Sequence, residues 1–407
     1  MKIELVQPLH ANYGNLGIRE SRIFTPAQLT MPYLAALSPE EDEVTISDEL
    51  AGPVDVERSA DLVGITFVTP FANRAYELAD IYRSQGKTVV FGGPHASLLP
   101  GEAKDHADAV VSGEAEESWP QLIKDFKNNR LKPFYHSKPP SLNAIPHARR
   151  DLLRKKHYIV SNVIQASRGC PFSCDFCTLS SIYGQGYRTR PVDEVIREIE
   201  TFEDGIFIFW DDNIAGSPAY ARELFRRLRP LQKRWLGQSS LTIAKDRELL
   251  DLAARSGCFG LFVGVESVSQ SSLETVRKGF NRVGSLQEDI KRMHDAGIAI
   301  LAGIIFGFDN EDMDIFEKTI EVSTKVAIDG ISFSILTPYP GTQLFSKLKS
   351  EGRLLHQDWS RYNSDHVVFA PKRMTPEVLQ QGHDWANRAF YSIPSIIRRL
   401  CASRTQP

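Results

Sequence analysis

The chain has 407 residues, is 42% hydrophobic and 24% charged, and carries a formal net charge of −3. That length allows two or three domains with ample core, and the near-neutral balance gives no argument for a nucleic-acid binder. No 18-residue apolar run and no basic-then-apolar leader occurs, so neither a membrane crossing nor a secretory signal is expected. Three of the five cysteines fall within Cys170–Cys177, which does not make a disulfide framework and implies a reducing cytoplasm.

From the N-terminus, short apolar runs alternate with helical stretches. Ile3–Val6, Val44–Ser47, Leu62–Val68, Thr88–Phe91 and Ala109–Val111 read as strands, and Pro26–Leu37, Phe71–Gln85 and Glu116–Phe126 as helices. This alternation predicts a Rossmann-like α/β domain over residues 1–130, with an open parallel sheet and ligands at the carboxyl ends of its strands. The loops at those ends are Thr66–Pro70 with Thr66 and Thr69, Gly92-Gly93-Pro94-His95, and Ser112-Gly113-Glu114. Paired glycines let backbone approach a large flat or anionic ligand.

Residues 131–160 contain Pro133, Pro139, Pro140 and Pro146 and the basic run Arg149-Arg150 to Lys155-Lys156, and read as a linker with a solvated basic surface.

Residues 161–345 offer six further strands: Val163–Ala166, Ile206–Trp210, Trp235–Ser240, Leu261–Val265, Ile298–Phe306 and Ile331–Leu336. Six β/α units suit an open, partial barrel, with polar residues gathered after the strands where barrel enzymes place their sites. The first strand leads into Cys170, Cys174 and Cys177, spaced C-x3-C-x2-C. Soft thiolates in a short loop suit an iron–sulfur cluster, and three ligands leave one iron of a [4Fe–4S] cluster open to a substrate. The alternatives are free core cysteines or a zinc loop; a structural zinc site wants a fourth Cys or His, and none follows closely.

The cysteine spacing, with Phe176 before the third cysteine, resembles the radical S-adenosylmethionine (SAM) superfamily. VGITFVT, VVFGGPHASLLP and DAVVSGEAEESW resemble the cobalamin-binding domain that precedes many radical SAM cores. HVVFAPKRMTPEVLQQGHDWANRAFYS, in a C-terminal segment at 346–407, is similar to the tails of the cobalamin-dependent methylases. The resemblance implies a [4Fe–4S] cluster on Cys170, Cys174 and Cys177, with Phe176 beside it. It implies SAM contacts from Asp211, Asp212 and Asn213 to the ammonium and from Gln238 and Ser240 to the carboxylate or ribose. It further implies Glu266 and Ser267 near the ribose and Gly307 near the adenine. Helix N-capping is the other reading of Asp212 and Asn213. Cobalamin contacts would come from Thr66, Thr69, Gly92, Gly93, His95, Gly113 and Glu114. No D-x-H-x-x-G is found, so no His ligand to cobalt is implied, and His95 reads as a hydrogen-bonding loop residue sooner than as a metal ligand.

The implied activity is radical cleavage of SAM and methylation of an unactivated carbon of a small molecule or lipid. A rearrangement, a cyclisation or transfer of another SAM fragment is the alternative. A methylthiotransferase is disfavoured because residues 1–169 contain no cysteine. The implied electron donor is a flavodoxin or ferredoxin. Trp359, Tyr362 and His366 are substrate-side candidates, with packing the commoner role for aromatics in such a segment, Cys258 reads as core, and Cys401 stands isolated.

Overall fold

The computed structural model describes residues 1–9, 26–184 and 186–402, and divides into two compact units. One comprises Met1–Ile164 with Thr178–Gly184, the other Gln165–Cys177 with Gln185–Pro407.

The first unit is built on a six-stranded parallel sheet. Its strands are β1 (Lys2–Gln7), β2 (Glu43–Asp48), β3 (Leu62–Thr66), β4 (Thr88–Gly92), β5 (Ala109–Ser112) and β6 (Phe134–His136). Their order is β2-β1-β3-β4-β5-β6, which reverses direction between β1 and β3. All of β3 is buried, as expected of a parallel strand covered on both faces. The helix Ser118–Lys127 buries Trp119, Leu122 and Ile123, and Trp119 donates its indole N–H to Ser38 Oγ at 3.0 Å. The helix Ala72–Ser84 buries Leu78, Ala79 and Tyr82, whose hydroxyl donates to the buried Glu4 on β1 at 3.1 Å.

Several boundaries differ from the sequence expectation. The third strand ends at Thr66 because Thr69–Phe71 turns into a 3-10 helix at Pro70. The first helix starts at Thr30, not Pro26. The proline-bearing stretch after residue 130 supplies β6, and its Arg150 is buried, donating Nε to the carbonyl of Val163 at 3.0 Å.

The second sheet contains β7 (Val163–Ile164), β10 (Ile206–Phe209), β11 (Arg234–Ser239), β12 (Cys258–Glu266), β13 (Ala299–Phe306) and β14 (Gly330–Ile335). They run in chain order from edge to edge, and the terminal strands do not pair, which gives the expected open (β/α)6 arrangement. The first expected strand is only two residues long. The chain then forms a separate antiparallel hairpin of β8 (Ser167–Cys170) and β9 (Gly186–Thr189), which the sequence pattern did not suggest. Further along, Thr375 caps the helix Pro376–Phe390 by accepting from Val378 N–H at 3.3 Å. Cys258 is buried, while the side chain of Cys401 lies outside the described residues. Among the described residues no helix is long and apolar enough to cross a membrane.

At the β4 terminus Gly93 has φ +89°, and a Cβ there would sit 2.7 Å from Thr66 Oγ1 and 2.8 Å from Phe67 N. Gly93→Ala is therefore expected to destabilise the protein by roughly 1–3 kcal/mol. The check is a lowered denaturant midpoint by far-UV circular dichroism; an unchanged midpoint would refute the close approach.

Candidate functional site

The cysteine loop grows out of the β8–β9 hairpin. Gly169 has φ +85°, and a Cβ there would lie 2.3 Å from the carbonyl oxygen of Gly186, so the hairpin closes only over a glycine. Cys170 ends β8, and Cys177 donates its N–H to the carbonyl of Cys174 at 3.1 Å. Two aromatic pairs pin the loop: Phe172 stacks on Phe280 at 3.8 Å between centroids, and Phe176 meets Phe308 edge-on at 6.4 Å. Asp175 donates its N–H to Val276 O, accepts from Leu344 N–H at 3.1 Å, and pairs with Arg277 at 3.1 Å.

All three cysteines are half-buried. Burial pushes the Cys174 thiol up to about 12, opposed by the nearby Lys278 cation and reinforced by the charge of Cys177. Such a thiol ionises when a metal takes it. Among the described residues no three His, Cys, Asp or Glu side chains are grouped to hold a single metal ion. Three soft donors in one short loop suit an iron–sulfur cluster, whereas a structural zinc site takes four ligands.

The segment after β10 holds this loop in place. Asp211 is fully buried and accepts from Ala166 N–H at 3.1 Å and from the N–H and hydroxyl of Ser167 at 2.5 Å each. Burial raises its carboxyl to about 7. Asp212 accepts from Gly169 N–H at 3.0 Å, and Asn213 Nδ2 lies 3.8 Å from Cys170 Sγ. Three successive residues thus fasten successive points of residues 166–170. The expectation that all three meet a ligand ammonium is corrected for Asp211, whose carboxylate is enclosed and spent on the loop. Neither Asp212 nor Asn213 serves as a side-chain helix cap: the helix begins at Pro218, after Ser217. At the end of β11, Ser240 donates its N–H to Asn213 Oδ1 at 3.2 Å and pairs its hydroxyl with Thr242 at 2.6 Å. Gln238 joins this network through its carbonyl, which accepts from Ile214 N–H at 2.9 Å.

Strands β12 and β13 end in a second polar cluster. Their register shifts between Gly264 and Glu266, and Glu266 sits at φ +68°, a bulge that re-aims its side chain. Its carboxylate pairs with Lys278, largely buried like itself. Ser267 donates to Glu311 Oε1 at 2.6 Å, while Gly307 and Phe308 donate their N–H groups to Oε2 at 3.0 and 3.2 Å. Burial outweighs these bonds and raises Glu311 to about 7. Ser267 is thus turned to Glu311, away from the expected ribose role, and Gly307 is held by it. Asp309 is ringed by Arg353, Lys347 and Lys372 at 2.7, 3.0 and 3.3 Å and titrates at about 2. A cavity of 530 Å³ adjoins it, lined by Val276, Phe308, Leu336 and Phe369 among others but by none of the cysteines.

In the first unit, Thr66, Gly92 and Gly113 stand at the ends of adjacent strands β3, β4 and β5. Ser97 Oγ accepts from Gly113 N–H at 2.9 Å and donates to Gly93 O at 2.8 Å, tying two of these loops together. Glu114 is buried, and its carbonyl accepts from Ser118 and Ser137. His95 is corrected from a cofactor contact to a loop anchor. It is fully buried, with Nδ1 3.2 Å from Thr69 Oγ1 and Nε2 3.1 Å from Tyr76 OH. Glycines at the carboxyl ends of adjacent strands, beside the strand-order reversal at β3, fit a large ligand at the sheet edge. They fit cobalamin held without an imidazole from His95.

Glu311 and the loop-holding role of Asp211 escaped the sequence reading. The signal for Glu311 was an acid four residues beyond a strand-end glycine. In the C-terminal segment Trp359 and Tyr362 are buried and packed on each other at 5.0 Å, so they are core and not substrate-facing; His366 is half-buried.

The Radical SAM superfamily model matches residues 164–322 and the B12 binding domain model residues 35–123. The chain is 33% identical to the bacteriochlorophyllide d C-12(1)-methyltransferase of Chlorobaculum tepidum, over 97% of this chain and 88% of that protein. It is 32% identical to the C-8(2)-methyltransferase of the same organism, over 86% and 82%. The hopanoid C-2 methylase of Rhodopseudomonas palustris is 28% identical over 82% and 66%. Among solved structures, the radical SAM methyltransferase TsrM from Kitasatospora setae superposes with a TM-score of 0.70 at 18% identity, covering 96% of this chain and 83% of that one. The cobalamin-dependent radical enzyme OxsB gives 0.71 at 14%, over 95% and 65%. These two likenesses are of fold.

Glu311 titrates near 7 in the native protein against an ordinary value of 4.5. Between these values the native chain keeps a proton that the unfolded chain has lost. Stability therefore falls as pH rises through that window, by on the order of 3 kcal/mol from this group. Glu311→Gln should flatten the fall, leaving the share of Asp211. Urea midpoints at pH 5 and pH 7 read the difference; an equal slope in the variant would refute the assignment.

Proposed function

We propose that this chain, which belongs to the cobalamin-dependent radical SAM methylase family, acts on a bacteriochlorophyllide-like macrocycle. Membership gives the reaction class: methylation of an unactivated carbon, with SAM, a [4Fe–4S] cluster and cobalamin. When bound, the cluster and SAM supply a hydrogen-abstracting radical and cobalamin the methyl group. The reading without methyl transfer is not favoured by the relatives of higher identity.

One observation carries the substrate class. Two relatives that name a bacteriochlorophyllide match this chain at 32–33% identity across both domains, above the 28% of the hopanoid methylase. A flat macrocycle also suits a small-molecule enzyme of modest charge.

The chain's own residues hold and orient. Cys170, Cys174 and Cys177 hold the cluster, and Asp211 and Asp212 fix the backbone that delivers Cys170. Asp212, Gln238, Ser240 and Glu266, at neighbouring strand ends, carry the polar contacts to SAM, and the backbone at Gly307 passes the adenine. Thr66, Gly92, Gly93 and Gly113 bound the cobalamin edge. The electron comes from a small carrier of the flavodoxin or ferredoxin type in the cytoplasm.

The test is an anaerobic incubation of protein reconstituted with iron, sulfide and hydroxocobalamin, supplied with SAM and bacteriochlorophyllide d under strong reduction. The expected product is heavier by one methylene and appears with S-adenosylhomocysteine and 5′-deoxyadenosine. Methylation of a hopanoid with none of the macrocycle would overturn the substrate class and leave the family intact.

A further inference from the structure

Asn213 is the last of the three residues that fasten the cysteine loop, and its side chain touches a cysteine sulfur. Its Nδ2 lies 3.8 Å from Cys170 Sγ and 3.4 Å from Ser240 Oγ. Its Oδ1 accepts from Ser240 N–H at 3.2 Å and from Ser239 Oγ at 3.4 Å. A backbone N–H can only donate, so the Ser240 bond fixes which end of the amide is oxygen. The other end presents two hydrogens, one for the Ser240 hydroxyl and one for the sulfur. Asn213 is only 1% exposed, so water does not compete for either.

We propose that Asn213 is a positioning residue that raises the reduction potential of the cluster held through Cys170, by donating an N–H···S hydrogen bond to that ligand. A donor at a thiolate draws off negative charge. The reduced cluster carries one electron more than the oxidised cluster, so it gains more from the bond. Burial strengthens the effect, because little solvent screens it. The same amide ties the end of β11 to Cys170 through Ser239 and Ser240. The potential is thereby coupled to the placement of two strands.

The inference rests on the cysteines holding a cluster; wild-type protein that takes up no iron and sulfide would overturn both. The experiment uses full-length, reconstituted protein without SAM. Asn213→Asp keeps an oxygen for Ser240 N–H and puts a second oxygen where the donor stood. It should load iron and sulfide fully and lower the equilibrium constant for reduction at least tenfold, which is 59 mV for a one-electron couple. Asn213→Ala removes the donor without adding charge and should shift the potential in the same direction by less. Wild-type protein carrying asparagine labelled with ¹⁵N at the side-chain amide should show a ¹⁵N coupling on the paramagnetic resonance of the reduced cluster. A wild-type potential in both loaded variants overturns the proposal. So does lost cluster content with an unmoved potential in the remainder, which is what a merely structural residue would give. If neither variant loads, the wild-type coupling decides: its absence overturns the proposal.

Discussion

Three thiols held within one short loop repel one another as they ionise, and the loop has little of its own to resist this. Within Cys170–Cys177 the backbone bond described is the one from Cys177 to Cys174. The geometry is supplied from outside. Asp211, Asp212 and Asn213 fasten the strand that enters the loop, Phe280 and Phe308 press on its aromatic residues, and Val276 and Leu344 hold Asp175 by its backbone. Asp211, Asp212, Asn213 and Phe308 follow strand ends, Val276 and Phe280 follow the short helix Gln270–Thr275, and Leu344 lies in the helix Gln343–Ser350. The parallel sheet is what lets residues far apart in sequence meet around eight residues of loop.

That dependence explains the concentration of buried acids. Asp211 and Glu311 are both enclosed, and burial, which disfavours the charged form, raises each to about 7. Each is surrounded by backbone N–H groups that a loop end leaves without partners. A carboxylate is the acceptor with capacity for several such donors at once. Glu266 and Lys278 use the opposite solution, mutual neutralisation, at a bulge that costs backbone strain.

How much of this could be read from residues alone follows the range of the interactions. The strands were visible because buried parallel strands are apolar runs; β3, buried throughout, and β12, with Cys258 inside it, are examples. The cysteine spacing named its own chemistry. The β8–β9 hairpin was not visible, since Ser167-Arg168-Gly169 and Gly186-Tyr187-Arg188 carry no apolar alternation and pair for reasons of loop closure. Asp211 was noticed as a strand-end acid, but its partners lie 44 and 45 residues earlier, and no local pattern distinguishes an acid aimed at a ligand from one aimed at backbone. His95 shows the same ambiguity from the other side. A histidine between glycines and a helix looks like a ligand until Thr69 and Tyr76 are found on its two nitrogens.

The order of these supports along the chain has a consequence for biosynthesis. Cys170, Cys174 and Cys177 leave the ribosome before every group that steadies their loop, from Asp211 through Val276, Phe280 and Phe308 to Leu344. The last of these follows Cys177 by roughly 170 residues, which is about 10 to 30 s of synthesis. Through that interval the loop gains its supports one by one, and until the last the thiols stand in an incompletely held segment. Cluster loading is thus a late event that follows completion of the second sheet. A nascent chain stalled before Leu344 would expose reactive thiols without the scaffold that gives them a purpose.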